Sequence, residues 1–138
     1  MLKIDNLLAR LTGFALLVAF ADAIWSVFGF VAARLHLTWF AERFPHMYAN
    51  WVDAAPHWVA ALLGGTCLIG LAFFIHRRAP GIALLALGIP SSLQILSFVL
   101  HAFEADPAAG FRGSAILIAH FGAIYGLLQS LLSRLGTR

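Results

Sequence analysis

Five polar side chains within strongly apolar segments are the residues of this sequence that could bind a ligand or a proton. An ionisable group at the centre of a membrane span costs at least about 2.5–3.5 kcal/mol and normally faces the interior of a helix bundle. At about 1.5 Å per residue, the five lie about 10 to 17 Å below the outer ends of their segments. We therefore predict an outward-facing polar cavity lined by Asp22, Ser91, Gln94, His120 and Tyr125.

Residue chemistry gives the members of this group candidate roles. Asp22, in the stretch AFADAIW, can change its protonation state or neutralise a cationic ligand. His120 with Gln94 would orient the ligand or relay a proton, because imidazole titrates near neutral pH. Ser91, Gln94 and Ser97 recur every three residues, so they share one face of the third apolar segment.

Asp22 also has a purely structural interpretation, which the sequence leaves open. The protonated side chain would hydrogen-bond Ser91, Tyr125 or a backbone carbonyl and fix the register of neighbouring helices. Polar contacts between membrane helices average only about 0.6 kcal/mol, so they serve as ordinary packing contacts. The substitution Asp22→Asn separates the two interpretations, because only the cavity interpretation predicts loss of ligand or proton dependence in a folded protein.

The six histidines raise the question of a haem or metal site. His57 and His101 lie at the outer edge and could ligate a non-covalent haem from two helices, since no C-x-x-C-H motif is present. A Zn²⁺ or Cu²⁺ site would draw on outer-face residues, but no H-E-x-x-H or similar spacing occurs. The sequence therefore identifies no cofactor, and haem or a metal is possible but not favoured. The candidate metal ligands are His46, Asp53, His57, His101, Glu104 and Asp106.

Composition indicates how these residues are positioned. The chain of 138 residues is 62% hydrophobic and 11% charged, whereas a soluble domain carries about 25% charged residues. Its mean hydropathy is +0.89. Four apolar runs, 11–33, 58–75, 81–100 and 114–133, are each long enough to cross a hydrocarbon core of about 30 Å. We predict an all-α membrane protein, a single-domain antiparallel bundle of four transmembrane helices.

The first apolar run has some features of a signal peptide. Lys3 and Arg10 precede it, and Ala19-Phe20-Ala21 has the A-x-A form of a cleavage site. The run nevertheless continues well past Asp22 to Ala33. We therefore expect this segment to be retained as the first span.

Basic residues predict the orientation, because cytoplasmic loops are enriched in Lys and Arg. Both termini should be cytoplasmic, most simply in a bacterial inner membrane. The sequence pI of about 9.8 is thus a topology signal and gives no ground for nucleic-acid binding. The residues assigned to the cytoplasmic side are Lys3, Arg10, Arg77, Arg78, Arg134 and Arg138; those on the outer side are Arg34, Arg43 and Arg112.

The connection between the first two spans, residues 34–58, is rich in aromatic residues and contains three of the four tryptophans. Tryptophan and tyrosine prefer the headgroup level of a bilayer. We expect a partly helical segment on the outer membrane surface, with a ligand gate as the alternative. Its predicted interfacial anchors are Trp39, Tyr48, Trp51 and Trp58.

Two functions of different classes fit these observations. The first is a membrane protein that binds or transports a small molecule or proton in the polar cavity, with the lipid bilayer around it and a homo-oligomer as a possible assembly. The second is a non-catalytic accessory subunit of a larger membrane complex, with Asp22 structural; the haem or metal protein is a further alternative. An enzyme is less favoured, because no phosphate-binding loop or nucleophile motif occurs.

Overall fold

The computed structural model describes residues 2–101 and 107–136, and within these ranges the chain is helical without β-strands. Four of its helices are long and apolar enough to cross a membrane. The prediction of an all-α protein with four transmembrane helices is confirmed. The helices are α1 (Leu2–Arg34), α2 (Thr38–Arg43), α3 (Pro45–Val52), α4 (Pro56–Ile75), α5 (Pro80–His101) and α6 (Pro107–Gly136).

Two of the long helices extend beyond the apolar runs that predicted them. The first begins at Leu2, whereas its run begins at Leu11, and the last begins at Pro107, whereas its run begins at Ser114. Hydropathy marks only the part of a helix that can lie in hydrocarbon, while backbone hydrogen bonding continues into polar flanks. Proline opens α3, α4, α5 and α6, because the first turn of a helix lacks an acceptor for its N–H.

The four long helices form a closed antiparallel ring. α1 packs against α4 and α6, and α5 packs against the same two helices. Alanines in the core allow close approach of the helices, while three leucines, Leu16, Leu87 and Leu127, are fully buried between them. The core cluster is Leu16, Ala19, Ala23, Ile69, Ala72, Ala83, Ala86, Leu87, Ala123 and Leu127.

The crossing of α1 and α6 is close at Gly126. A Cβ atom added at Gly126 would lie 2.9 Å from Thr12 Cβ and 3.0 Å from Thr12 Cγ2, so only glycine fits without displacement. Thr12 is buried, and its hydroxyl donates a hydrogen bond to the Leu8 carbonyl at 2.8 Å. One turn earlier, a Cβ atom at Gly122 would make an ordinary contact of 3.8 Å with Ala15 Cβ.

Large apolar side chains cover the outside of the bundle. Phe14, Leu85 and Ile118 are 66%, 78% and 71% exposed, and they lie on three different long helices. Exposure of apolar area to water costs about 25 cal/mol per Å², whereas hydrocarbon removes this cost. The surface therefore suits a lipid environment, and the chain is an integral membrane protein.

The end of the bundle where α1 ends and α4 begins, called here the α2–α3 end, is closed by local hydrogen bonds. His36 has a φ of 53°, and the bonds from His36 N to Ala33 O and from Leu37 N to Ala32 O form a Schellman motif that ends α1. The ring of His36 lies 3.1 Å from the Tyr48 hydroxyl, through Nδ1. This bond ties α3 to the end of α1.

Aromatic side chains pack α2 and α3 against α1. Phe40 is fully buried, with its ring centroid 6.0 Å from that of Phe28 and 5.3 Å from that of Phe44. Trp25 lies 5.3 Å from Phe44. The segment between the first two spans is therefore two short helices held on the side of α1.

At the opposite end of the bundle, an arginine of α6 hydrogen-bonds the short connection between α4 and α5. Arg134 of α6 donates a hydrogen bond to the Arg78 carbonyl at 3.0 Å and another to the Arg77 carbonyl. The short connection leaves these carbonyls outside the helical ladder, and a guanidinium carries enough donors to bind both.

Candidate functional site

A partly open cavity of about 230 Å³ lies among the long helices, towards the α2–α3 end. Three of the five predicted cavity residues line it: Asp22 from α1, Gln94 from α5 and His120 from α6. Gly65 and Thr66 contribute the wall on α4. Every long helix of the ring therefore contributes to one polar cavity.

Asp22 forms an ion pair with Arg112 of α6. Arg112 donates two hydrogen bonds to the same carboxylate oxygen, Oδ1, from Nη2 at 2.6 Å and from Nε at 3.2 Å. The Asp22 side chain is 19% exposed and that of Arg112 is 47% exposed. Oδ2 makes no hydrogen bond within the described part of the chain, so half of the carboxylate remains available.

The expectation that Asp22 would hydrogen-bond Ser91, Tyr125 or a backbone carbonyl is not what the structure shows. The partner is Arg112, which the sequence assigned to the outer side of the bundle. α6 begins well before its apolar run, so Arg112 lies on a continuous helix and its long side chain reaches inwards along α1. The sequence feature that could have indicated this ion pair is Arg112 itself, two residues before the predicted start of the fourth span.

His120 and Ser91 form a buried pair between α5 and α6. A hydrogen bond of 2.7 Å joins Ser91 Oγ and His120 Nδ1, and the two residues are only 2% and 3% exposed. Ser91 therefore lies behind His120 and orients its ring. The second ring nitrogen, Nε2, makes no hydrogen bond within residues 2–101 and 107–136, and it is the nitrogen available to the cavity.

Gln94 and the cavity hydroxyls differ in how far their hydrogen-bonding capacity is used. Ser26 donates to the Asp22 carbonyl at 3.1 Å and Thr66 to the Leu62 carbonyl at 2.7 Å, both four residues earlier on their own helices. Gln94 is half-buried, and its amide makes no hydrogen bond among the described residues. Its donors and acceptor are therefore free to bind a guest in the cavity.

Tyr125 is not brought into this group. It is 59% exposed on the periphery of α6 and does not line the cavity. Five residues separate it from His120, which at about 100° per residue places the two side chains about 140° apart around the helix. Their estimated depths in the membrane could not reveal this, whereas a helical projection could.

Two of the four predicted interfacial anchors lie at the cavity. Trp51 and Trp58 both line it, and Trp51 also packs edge-on against Phe30 at 6.1 Å. Trp39 is 55% exposed on the outside of α2, and Tyr48 bonds His36 as described above. Both the ligand gate and the interfacial role of these four residues therefore stay predictions.

The histidines predicted as haem or metal ligands are not assembled in the described ranges. His57 is exposed, with its ring 5.3 Å from that of Trp58. The side chain of His101 and residues Glu104 and Asp106 lie outside the described residues. Within the part that is described, no group of three or more His, Cys, Asp or Glu side chains is arranged to hold a metal ion, and this includes His46 and Asp53.

Comparison with other proteins adds no assignment to this geometry. No protein-family model, curated protein or solved structure matches the chain.

Proposed function

We propose that this protein binds a small polar molecule or a proton in an outward-facing cavity within the membrane, and that it does so in a bacterial inner membrane. One observation carries the proposal. Three polar groups from three different helices surround one cavity with unused hydrogen-bonding capacity: Asp22 Oδ2, the Gln94 amide and His120 Nε2. Among the described residues the one fully buried side-chain nitrogen or oxygen without a partner is His76 Nε2, so the three cavity groups are accessible and can bind a guest that enters.

The size and the rim of the cavity support a small guest. Sites for drug-sized ligands measure about 300–1,000 Å³, and this cavity measures about 230 Å³. Trp51 and Trp58 give its rim two large planar surfaces, which pack against a ligand without much loss of side-chain entropy. The guest should therefore be smaller than a typical drug and should carry both a polar and an apolar part.

Charge distribution supports the outward orientation. Arg77, Arg78 and Arg134 lie together at the α4–α5 end, opposite the cavity mouth. Because Lys and Arg are retained on the cytoplasmic side, this end should be cytoplasmic. The cavity would then open towards the outer side and take its ligand from there.

Native mass spectrometry of protein gently released from its own membrane tests the proposal. We expect a small-molecule adduct on the wild-type chain. The variant Ala61→Trp, which fills the cavity from its wall, should lose the adduct. The matched control Ala60→Trp places the same side chain on the exposed face of the same helix and should retain it.

Two results would contradict the proposal. Retention of the adduct by a folded Ala61→Trp variant would place the ligand elsewhere on the protein. Release of an adduct-free chain with larger polypeptides at fixed stoichiometry would instead support the accessory-subunit alternative, in which the Asp22–Arg112 pair serves packing.

A further inference from the structure

The cavity lining carries one carboxylate and neither lysine nor arginine. Asp22 and His120 are its titratable residues, and Arg112 approaches Asp22 from outside the lining. A cleft with low-dielectric walls and charge of one sign concentrates ions of the opposite sign. The inside of the cavity should therefore attract cations.

The rim adds a second feature that favours cations. Trp51 and Trp58 lie on the lining next to the polar wall. Indole faces attract cations, with about 0.5–1 kcal/mol at exposed sites and about 2 kcal/mol or more where the cation is desolvated. A carboxylate at depth and two indoles at the rim together suit a small organic cation better than an anion or a neutral solute.

Arg112 already supplies such a cation, tethered to the protein. Its guanidinium binds Oδ1 alone, through two nitrogens, and leaves Oδ2 unengaged. The Arg112 side chain is 47% exposed, so it can leave the carboxylate without first breaking a packed core. A free cation entering the cavity meets the unengaged oxygen and competes for the same negative charge.

We propose that the cavity selects small organic monocations, of the ammonium or guanidinium type, with Asp22 as their counter-ion and Arg112 as a tethered competitor. This inference rests on the proposed function and names the ligand class of the same site. Removal of Asp22 abolishes cation selectivity, whereas removal of Arg112 strengthens it.

The test measures the charge preference of a cysteine placed in the cavity. Ser97 lines the cavity and is exposed, so Ser97→Cys in a Cys67→Ser background gives one reactive thiol there. Its reaction rate is measured with a cationic reagent, trimethylammonium-ethyl methanethiosulfonate, and an anionic one, sulfonatoethyl methanethiosulfonate. The control thiol is Asn50→Cys, on the exposed face of α3.

The ratio of cationic to anionic rate should be higher at the cavity thiol than at the control thiol, and about tenfold higher once Arg112→Gln removes the guanidinium that offsets the Asp22 charge. Asp22→Asn should abolish this difference, and Arg112→Gln should increase it. Tetramethylammonium should slow the cationic reagent at the cavity thiol and leave the control thiol unaffected. If Asp22→Asn does not fold, the slowing of the cationic reagent by tetramethylammonium at the Ser97→Cys thiol decides the question, because a change in local charge alone does not produce competition.

The outcomes separate this inference from the proposed function. A cavity thiol that reacts with neither reagent would overturn cation selectivity and small-molecule binding together, because the cavity would then be closed to solutes, and would leave only proton binding from the proposed function. A thiol that reacts with both reagents at the control ratio, unchanged by Asp22→Asn or Arg112→Gln, would overturn cation selectivity alone. An anionic or neutral adduct in the native mass spectrum would do the same.

Discussion

The Asp22–Arg112 ion pair and the Ser91–His120 hydrogen bond differ in burial, and therefore in what their loss costs. The Asp22–Arg112 pair is partly exposed, and exposed ion pairs contribute about 0–1 kcal/mol. The Ser91–His120 hydrogen bond is almost fully buried, so loss of one partner leaves the other unsatisfied at low dielectric constant. The first contact is therefore suited to exchange with a ligand, and the second to fixing the geometry.

Replacement of Ser91 tests this structural role. Ser91→Ala removes the hydroxyl that holds His120 Nδ1 and should lower the free energy of unfolding by about 1–3 kcal/mol. Ser92→Ala is the matched control, because Ser92 is exposed and donates only to the Gly88 carbonyl of its own helix. Denaturant titration in detergent micelles would measure both. Equal stability of the two variants would show that the buried bond contributes nothing.

At the residue scale, the sequence predicted how deep a residue lies along its helix better than which side of the helix it occupies. It identified Asp22, Gln94 and His120, because an apolar background makes every polar residue visible. It also grouped Tyr125 with them, since depth along a helix says nothing about which side of the helix a residue occupies. Arg112 was missed for the opposite reason: a long side chain reaches a level far from that of its own backbone.

At the scale of elements, the α1–α6 crossing controls where Asp22 and Arg112 meet. Gly126 lets Thr12 lie directly against the backbone of α6, and this fixes the distance between the two helices. Without a hydrophobic driving force between helices in lipid, such close packing supplies much of the association energy. The crossing is thus a remote determinant of the ion pair.

Two neighbouring glycines of α6 should respond differently to the same substitution. Gly126→Ala forces atoms of Thr12 to move and should lower the free energy of unfolding by about 1–3 kcal/mol, as overpacking does. Gly122→Ala adds a methyl group at ordinary contact distance and should be tolerated. Thermal unfolding in detergent would compare them. If the two variants melted at the same temperature, the crossing would be looser than the structure indicates.

The existence of the four spans was predictable, but two of their ends were not. α4 and α5 begin at a proline and are apolar nearly throughout, so hydropathy located their bounds within two residues. α1 and α6 continue through flanks in which charged residues and glycine interrupt the apolar pattern. The packing of α2 and α3 onto α1 was also hidden, because aromatic side chains suit a headgroup layer and a protein surface equally well.

At the scale of the whole molecule, most of the basic residues and the cavity lie at opposite ends of the bundle. Arginines surround the α4–α5 turn, whereas the cavity lies towards the α2–α3 end. The fold itself has no preferred direction across a bilayer, since an antiparallel ring of helices fits either way. Orientation must therefore follow from the distribution of basic residues.

Thiol labelling of intact cells tests the predicted orientation. In a Cys67→Ser background, Asn50→Cys on α3 should react with a membrane-impermeant maleimide added from outside. Gly136→Cys, at the exposed end of α6, should react only after the cells are permeabilised. The reverse labelling pattern would show that the bundle has the opposite orientation, with the cavity open towards the cytoplasm.

The sequence separation of 90 between Asp22 and Arg112 has a consequence for biosynthesis. At about 5–20 residues per second, a ribosome needs roughly 5–20 s to make the chain between them. During that interval α1 must enter the bilayer with a carboxylate that has no guanidinium beside it. Insertion of the nascent chain therefore depends on the apolar residues that flank Asp22, and a variant of Arg112 can weaken the finished protein without affecting the step that places its first helix in the membrane.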